Sequence, residues 1–257
     1  MTQATVAFQK VALVTGGGRG IGRSAALSIA RMGIDVIITY HSNERAAATV
    51  VAEIEDMGRK AFALRLDTGD IRSFEPFTRS VQEILRSWDQ EHLYALVNSA
   101  GIGYAAPFAE TTEEAFDQLL NVHFKGVFFL TQNLLPALAD GGRIVNVTGN
   151  LTRVTFAGYS VLGSMKAATD ALSRFLAKEL GSRKITVNAI SPGAVETDFG
   201  GGAVRDNSEI NAFVASQTAL GRVGVPDDVG PMIAALLLDS HRWVTAQTIE
   251  VSGGSFF

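Results

Sequence analysis

The chain has 257 residues, of which 47% are hydrophobic and 19% charged, the balance of a globular protein with a sizeable core. A formal net charge of −4 gives no basic field for nucleic acid or an anionic membrane, so neither is expected as a partner. The absence of cysteine excludes a disulfide scaffold and thiolate metal sites, and fits a reducing cytoplasm.

In chain order, Met1 to Lys10 lacks a basic stretch followed by an apolar run, so no secretory signal is expected there. The apolar runs Val11–Thr15, Val36–Tyr40, Ala61–Leu66 and Leu93–Asn98 then alternate with helical spacing over Ile21–Met32, Glu44–Met57, Phe74–Trp88 and Glu113–Ala139. The greasiest part of the last stretch, 122–138, contains Lys125, Gln132 and Pro136, and nothing approaches the roughly 20 apolar residues needed to span a bilayer. Arg143–Thr148, Thr186–Ser191 and Thr248–Val251 continue the strand pattern, with helical spacing over Lys166–Leu180 and Asp227–Leu238. Continuous rather than alternating apolar character suits a strand covered on both faces, so these runs predict parallel strands. The alternation predicts an α/β fold: one doubly wound Rossmann-type domain over 1–257 with a seven-stranded parallel sheet. Glu196 to Gly224, which contains Gly200-Gly201-Gly202, reads as a lid insertion over a site, the alternative being a plain surface insertion.

After the first strand comes Thr15-Gly16-Gly17-Gly18-Arg19-Gly20-Ile21-Gly22, leading into a helix. Glycine lets the backbone turn and approach a pyrophosphate without a Cβ in the way. The helix N-terminus then offers free N–H groups to the anion. Gly16, Gly20 and Gly22 have the Thr-Gly-x-x-x-Gly-x-Gly spacing of the short-chain dehydrogenases/reductases, and the resemblance runs across essentially the whole chain. Asp67 follows the third strand, where that family places a carboxylate near the adenine. Asn98-Ser99-Ala100-Gly101 resembles its Asn-Asn-Ala-Gly, so Asn98, Ala100 and Gly101 are expected at the cofactor. Asn121 is matched to the asparagine that supports the family's proton relay. Ser191-Pro192-Gly193 with Thr197 resembles the segment at the nicotinamide end, and Val251-Ser252-Gly253-Gly254 the C-terminal signature.

The choice of dinucleotide follows from charge. An NAD site ends the second strand with an acid that grips the ribose 2′-OH. Here that strand ends Thr39-Tyr40-His41-Ser42-Asn43. Arg19, His41 and Ser42 supply donors that would welcome a 2′-phosphate, so NADP(H) is the expected cofactor.

The catalytic segment departs from the family pattern, which is Tyr-x-x-x-Lys with a Ser thirteen residues before the Tyr. Lys166, in Lys166-Ala167-Ala168, is expected to open a helix, but four residues back stands Leu162, and thirteen further back Gly149. Leucine cannot donate a proton. Tyr159 precedes Lys166 by seven residues, a spacing that resembles the Tyr-x6-Lys of enoyl-thioester reductases. On a helix seven residues turn about 700°, which returns Tyr159 to within roughly 20° of the face carrying Lys166, about 10 Å along the axis. The resemblance implies that Lys166 binds the nicotinamide ribose, while Tyr159 hydrogen-bonds a substrate carbonyl as charge develops on it.

Three functions remain open. One is an NADPH-dependent reductase of an activated C=C, an enone or enoyl thioester, using Tyr159, Lys166 and Asn121. Another is a carbonyl-reductase scaffold lacking its Ser and Tyr, acting on an iminium or altered substrate. The last is a non-catalytic NADP(H)-binding protein. His41, His92, His123 and His241 are scattered without ligand spacing, so no metal is expected, and His123 reads as a packed helix residue. Resemblance implies a small-molecule substrate and a homotetramer.

Overall fold

Apolar runs become strands and periodic stretches become helices in the computed structural model, which describes residues 9–256. The segment 1–8, most of the stretch read for a secretory signal, and residue 257 lie outside them. Along the chain come β1 (Val11–Val14), α1 (Gly20–Arg31), β2 (Asp35–Tyr40), α2 (Glu44–Asp56), β3 (Ala61–Arg65), α3 (Phe74–Ser87) and β4 (Leu93–Asn98). The second half has α4 (Glu113–Leu120), α5 (Gly126–Leu134), β5 (Leu138–Val147), α6 (Ser160–Glu179) and β6 (Thr186–Pro192). It closes with α7 (Ala203–Asp206), α8 (Ser208–Ser216), α9 (Pro226–Ala235) and β7 (Thr248–Val251). The seven strands form one sheet in the order β3-β2-β1-β4-β5-β6-β7, every pairing parallel.

Side chains on a strand alternate between faces, and that alternation divides the core in two. Ala12 and Val14 join Ala25, Ile29 and Ile233 on the side of α1 and α9. Val11 and Leu13 join Phe74, Val81, Leu130 and Leu134 on the side of α3 and α5. Each large side chain buried this way stabilises the fold by about 1.5–3 kcal/mol. Both faces being covered explains why β1 reads as an unbroken apolar run.

Three expectations need correction. The single helix over Glu113–Ala139 is broken: a π-turn spans Asn121–Lys125 between α4 and α5, and a 3-10 turn at Leu135–Ala137 carries Pro136. Proline lacks the N–H that would continue the ladder, so the chain leaves the helix there and enters β5. Lys166 does not open its helix, because α6 begins six residues earlier at Ser160. The 196–224 segment is partly helical, containing α7 and α8, and Gly200, Gly201 and Gly202 all have positive φ of 62°, 73° and 79°, a backbone that favours glycine.

The chain runs from β1 outward to β3 and then returns to β4 beside β1. That reversal parts the connections above the carboxyl ends of β1 and β4, which is where open α/β sheets bind ligands.

Candidate functional site

A cleft of about 1260 Å³ lies over the reversal point, lined by the phosphate turn and the segments after β2, β3, β4, β5 and β6, residues of the 196–224 segment among them. Gly16 has φ +67°, and a Cβ there would sit 2.9 Å from the Ala100 Cα. A Cβ on Gly22 would lie 2.3 Å from the Gly16 carbonyl oxygen, so helix and turn touch through bare backbone. Gly20, Ile21 and Arg19 complete the turn at the cleft wall. α1 has no side-chain cap and no acid in its first turn, so its leading N–H groups are open to an anion. Thr15 Oγ1 accepts from the Ser99 and Ala100 amides at 2.9 and 3.0 Å, stitching the turn to the loop after β4. This glycine cradle fits a pyrophosphate.

Asn98 is not at the cleft. It is buried, and its Nδ2 donates to Asn146 Oδ1 at 2.8 Å and Thr131 Oγ1 at 3.2 Å. It braces β4 against β5 behind the site, whereas Ala100 and Gly101 do line it.

At the far end stand His41, Ser42 and Asp67. His41 Nε2 is 3.7 Å from Asp67 Oδ2, and Arg65 Nε donates to the His41 carbonyl at 3.2 Å. Arg19 Nη1 lies 3.4 Å from Asp198 Oδ2 in the 196–224 segment, and Arg205 holds the other oxygen of that carboxylate. Arg205 and Arg19 together hold the Asp198 carboxyl below its ordinary range. β2 ends without an acid, so a 2′-phosphate meets donors there.

At the near end Lys166 is buried, and its Nζ donates to the Val147 carbonyl at 2.9 Å. Burial lowers its pKa to about 8, with Asp170 one turn on opposing the shift. Burial raises the Asp170 carboxyl in turn. Leu162 is 2% exposed and contributes to the cleft wall, where it supplies carbon. Gly149 is extended at φ 170°, and a Cβ there would meet nothing nearer than the Pro192 carbonyl at 4.0 Å. Pro192, Gly193 and Thr197 line the same end.

Tyr159 caps α6 with non-helical φ −110° and ψ 17°, yet its carbonyl accepts the first helical bond from Gly163 N at 2.8 Å. An N-cap carbonyl in the ladder keeps its Cα on the helical path, so the one-face reading with Lys166 applies to the backbone. The ring is 37% exposed and lines the cleft.

Asn121 opens the π-turn and also lines the cleft, its Cβ 4.0 Å from where a Gly69 Cβ would stand. His123, two residues on, is buried as a packed residue, with Nε2 2.7 Å from the Ile102 carbonyl. Burial and then the Lys166 charge lower its pKa to about 3, so it is neutral. Among the described residues no group of His, Cys, Asp or Glu is placed to hold a metal ion, and no helix is long and apolar enough to cross a membrane.

Sequence reasoning missed Asp198 as the partner of Arg19, and missed Phe156, Phe213 and Phe256 as cleft walls. Their contact joins three distant segments, and nothing periodic in the sequence signals it.

The family model described as enoyl-(acyl carrier protein) reductase matches residues 16–255. A hydroxynaphthalene reductase-like protein, Arp2, of Metarhizium brunneum is 38% identical over 96% of this chain and 94% of its own. Among solved structures, the promiscuous reductase LugOII, which catalyses keto-reduction at C1 during lugdunomycin biosynthesis, superposes with a TM-score of 0.92 at 35% identity, covering 97% of this chain and 99% of that one. The angucycline C-6 ketoreductase LanV with bound NADP gives 0.91 at 33% identity, covering 96% and 95%.

Proposed function

The chain belongs to the short-chain dehydrogenase/reductase family and is an NADP(H)-dependent oxidoreductase, and on that premise we propose that it reduces the C=C of an uncharged enone. The observation that carries this reading is the pairing of Leu162 with Tyr159. Carbon fills the position one turn before Lys166, and the phenol available at that end of α6 stands a further turn away. A conjugated system takes hydride at its β-carbon while its oxygen lies three bonds away, so an oxygen-binding hydroxyl set back along the helix suits it. Bound NADPH supplies the hydride.

The chain's own groups do the rest. Tyr159 donates a hydrogen bond to the carbonyl oxygen, an interaction that strengthens as negative charge develops there. Its proton passes to the enolate oxygen, the enol tautomerises to place a proton on the α-carbon, and the phenol is reprotonated from solvent. Lys166 holds the ribose hydroxyls and keeps a positive potential beside the reacting centre. Gly16, Gly20, Ile21, Gly22, Ala100 and Gly101 seat the pyrophosphate end, while Arg19, His41 and Ser42 take the 2′-phosphate and Asp67 the adenine side. Pro192, Gly193 and Thr197 border the nicotinamide, and Asn121 supports the relay.

A free small molecule is favoured over an enoyl group on an acidic carrier protein. The cations Arg153 and Arg205 beside the cleft are neutralised by this chain's Glu250, Asp198 and Asp206. Direct C=O reduction is the second reading, favoured by the keto-reductions named for the LugOII and LanV relatives. The exposed Phe116, Phe128 and Phe175 on α4, α5 and α6 favour assembly with further copies of the chain, as a homotetramer, in a reducing cytoplasm.

The test is NADPH consumption against matched fused-ring enone, ketone and cyclic imine, with the product structure read by NMR. Tyr159→Phe lowers enone turnover by about 100-fold with NADPH affinity unchanged. An unaltered rate removes Tyr159 and the reading with it.

A further inference from the structure

The last described residues of the chain are not a loose end. Ser255 is 1% exposed, and its hydroxyl accepts from Asn150 Nδ2 at 2.9 Å. Arg153 reaches across from the same loop, donating to the Ser255 carbonyl at 2.9 Å and the Phe256 carbonyl at 2.8 Å. Its guanidinium is itself fixed on both oxygens of Glu250 in β7, at 2.8 and 2.7 Å. From the other side the Phe256 amide donates to the Gln217 carbonyl at 2.9 Å, just beyond the lid helix α8. The tail is therefore laced to both the loop after β5 and the lid.

That lacing has a consequence in the cleft. Phe256 lies between Phe156 of the β5–α6 loop, ring centroids 4.9 Å apart and near-perpendicular at 76°, and Phe213 of α8, at 6.2 Å and 47°. All three rings line the cleft. One ring is thus in contact with the β5–α6 loop and the lid at once, and its own backbone is held by two hydrogen bonds, its amide to the Gln217 carbonyl and its carbonyl from Arg153, whose guanidinium Glu250 fixes in place. Rings in edge-on and tilted contact present both faces and edges to a further ring. No charged group belongs to this trio.

We propose that Phe256 is a specificity-determining residue of this site, forming with Phe156 and Phe213 an aromatic wall that selects fused-ring over single-ring substrates, and that Arg153 is the positioning residue that holds it there. This deepens the substrate class of the proposed function and rests on that reading for the identity of the site. The selection is made by ring area: a fused bicycle spans the contact between the loop ring and the tail ring, whereas one ring reaches a single neighbour.

The test is binding alone, with 2-naphthol and phenol as probes, titrated calorimetrically into the protein saturated with NADP+. Phe256→Leu, which keeps apolar bulk and removes the ring, weakens 2-naphthol by about fivefold and leaves phenol and NADP+ affinities unchanged. Arg153→Gln lowers the same naphthol-to-phenol ratio with Phe256 intact, and Arg153→Lys restores part of it. An unchanged ratio in Phe256→Leu overturns the proposal, as does an equal loss for both phenols. Because no turnover is involved, a protein that keeps ring selectivity but reduces no enone loses the functional reading and retains this one.

Discussion

The phosphate turn and the segment from Gly149 to Lys166 face the same cleft but are constrained in different ways. In the turn, recognition is made by backbone. A Cβ on Gly22 would come within 2.3 Å of the Gly16 oxygen, so the sequence is held to glycine whatever the substrate. Around Gly149 there is room, since a Cβ would find its nearest neighbour at 4.0 Å. There side-chain identity sets the chemistry and can change without disturbing the fold. A cofactor frame can therefore persist while the side chains at Gly149 and Leu162 change.

The largest expected effect tests the tight end. Gly22→Val forces the turn apart, and overpacking of this kind costs about 1–3 kcal/mol, up to roughly a hundredfold in affinity. NADPH binding, followed by fluorescence, is lost or nearly so, while circular dichroism shows the sheet intact. Ordinary affinity in that variant would mean that backbone approach is not what holds the pyrophosphate.

The loose end gives the next test. Gly149→Ser with Leu162→Tyr returns a hydroxyl pair to the positions from which it is missing, and positioned proton donors contribute about 100-fold or more. NADPH-dependent reduction of 2-tetralone by the double variant rises by tens of fold over the parent. If the rate does not move, the open space beside Gly149 is no relic of a carbonyl site, and the contrast between the two ends loses its meaning.

The same contrast explains what could be read beforehand. β1, β2, β4 and β6 were legible because burial on both faces forces Val, Ile, Leu and Ala into runs such as Val11–Val14, whereas the edge strands β3 and β7 are partly exposed. The turn was legible because close approach leaves glycine alone. Asn98 was misjudged as a cofactor contact because its motif fixes where it sits but not which way it faces. It points at Asn146 and Thr131. The helix expected over Glu113–Ala139 kept its apolar period through a π-turn, which costs one wider loop of backbone and leaves little trace in the pattern. Phe256 was invisible because its neighbours are fixed by Arg153 reaching across about a hundred positions of chain, and no local spacing encodes that.

Lys166 belongs to the loose end, and it supports the smallest and most specific expectation. Burial lowers its pKa from 10.5 to about 8 in the folded, cofactor-free protein. A depressed folded-state value means that the unfolded chain binds the extra proton between those two limits, so stability rises with pH across that window. The burial cost is present in full below pH 8 and disappears by about pH 10.5. Between pH 7 and 9 the gain is about 1 kcal/mol. Other groups titrate in the same range, so the quantity to measure is the difference from Lys166→Met. That variant keeps the stem packing and leaves the Val147 carbonyl unpaired equally at every pH. Asp170 favours the charged lysine and neutral His123 adds no charge of its own, so neither reverses the sign. Thermal unfolding of the pair should converge or cross toward the parent's advantage as pH rises from 7 to 9. Parallel curves would place Lys166 in contact with water and remove the dry, polarising environment on which the chemistry proposed at Tyr159 depends.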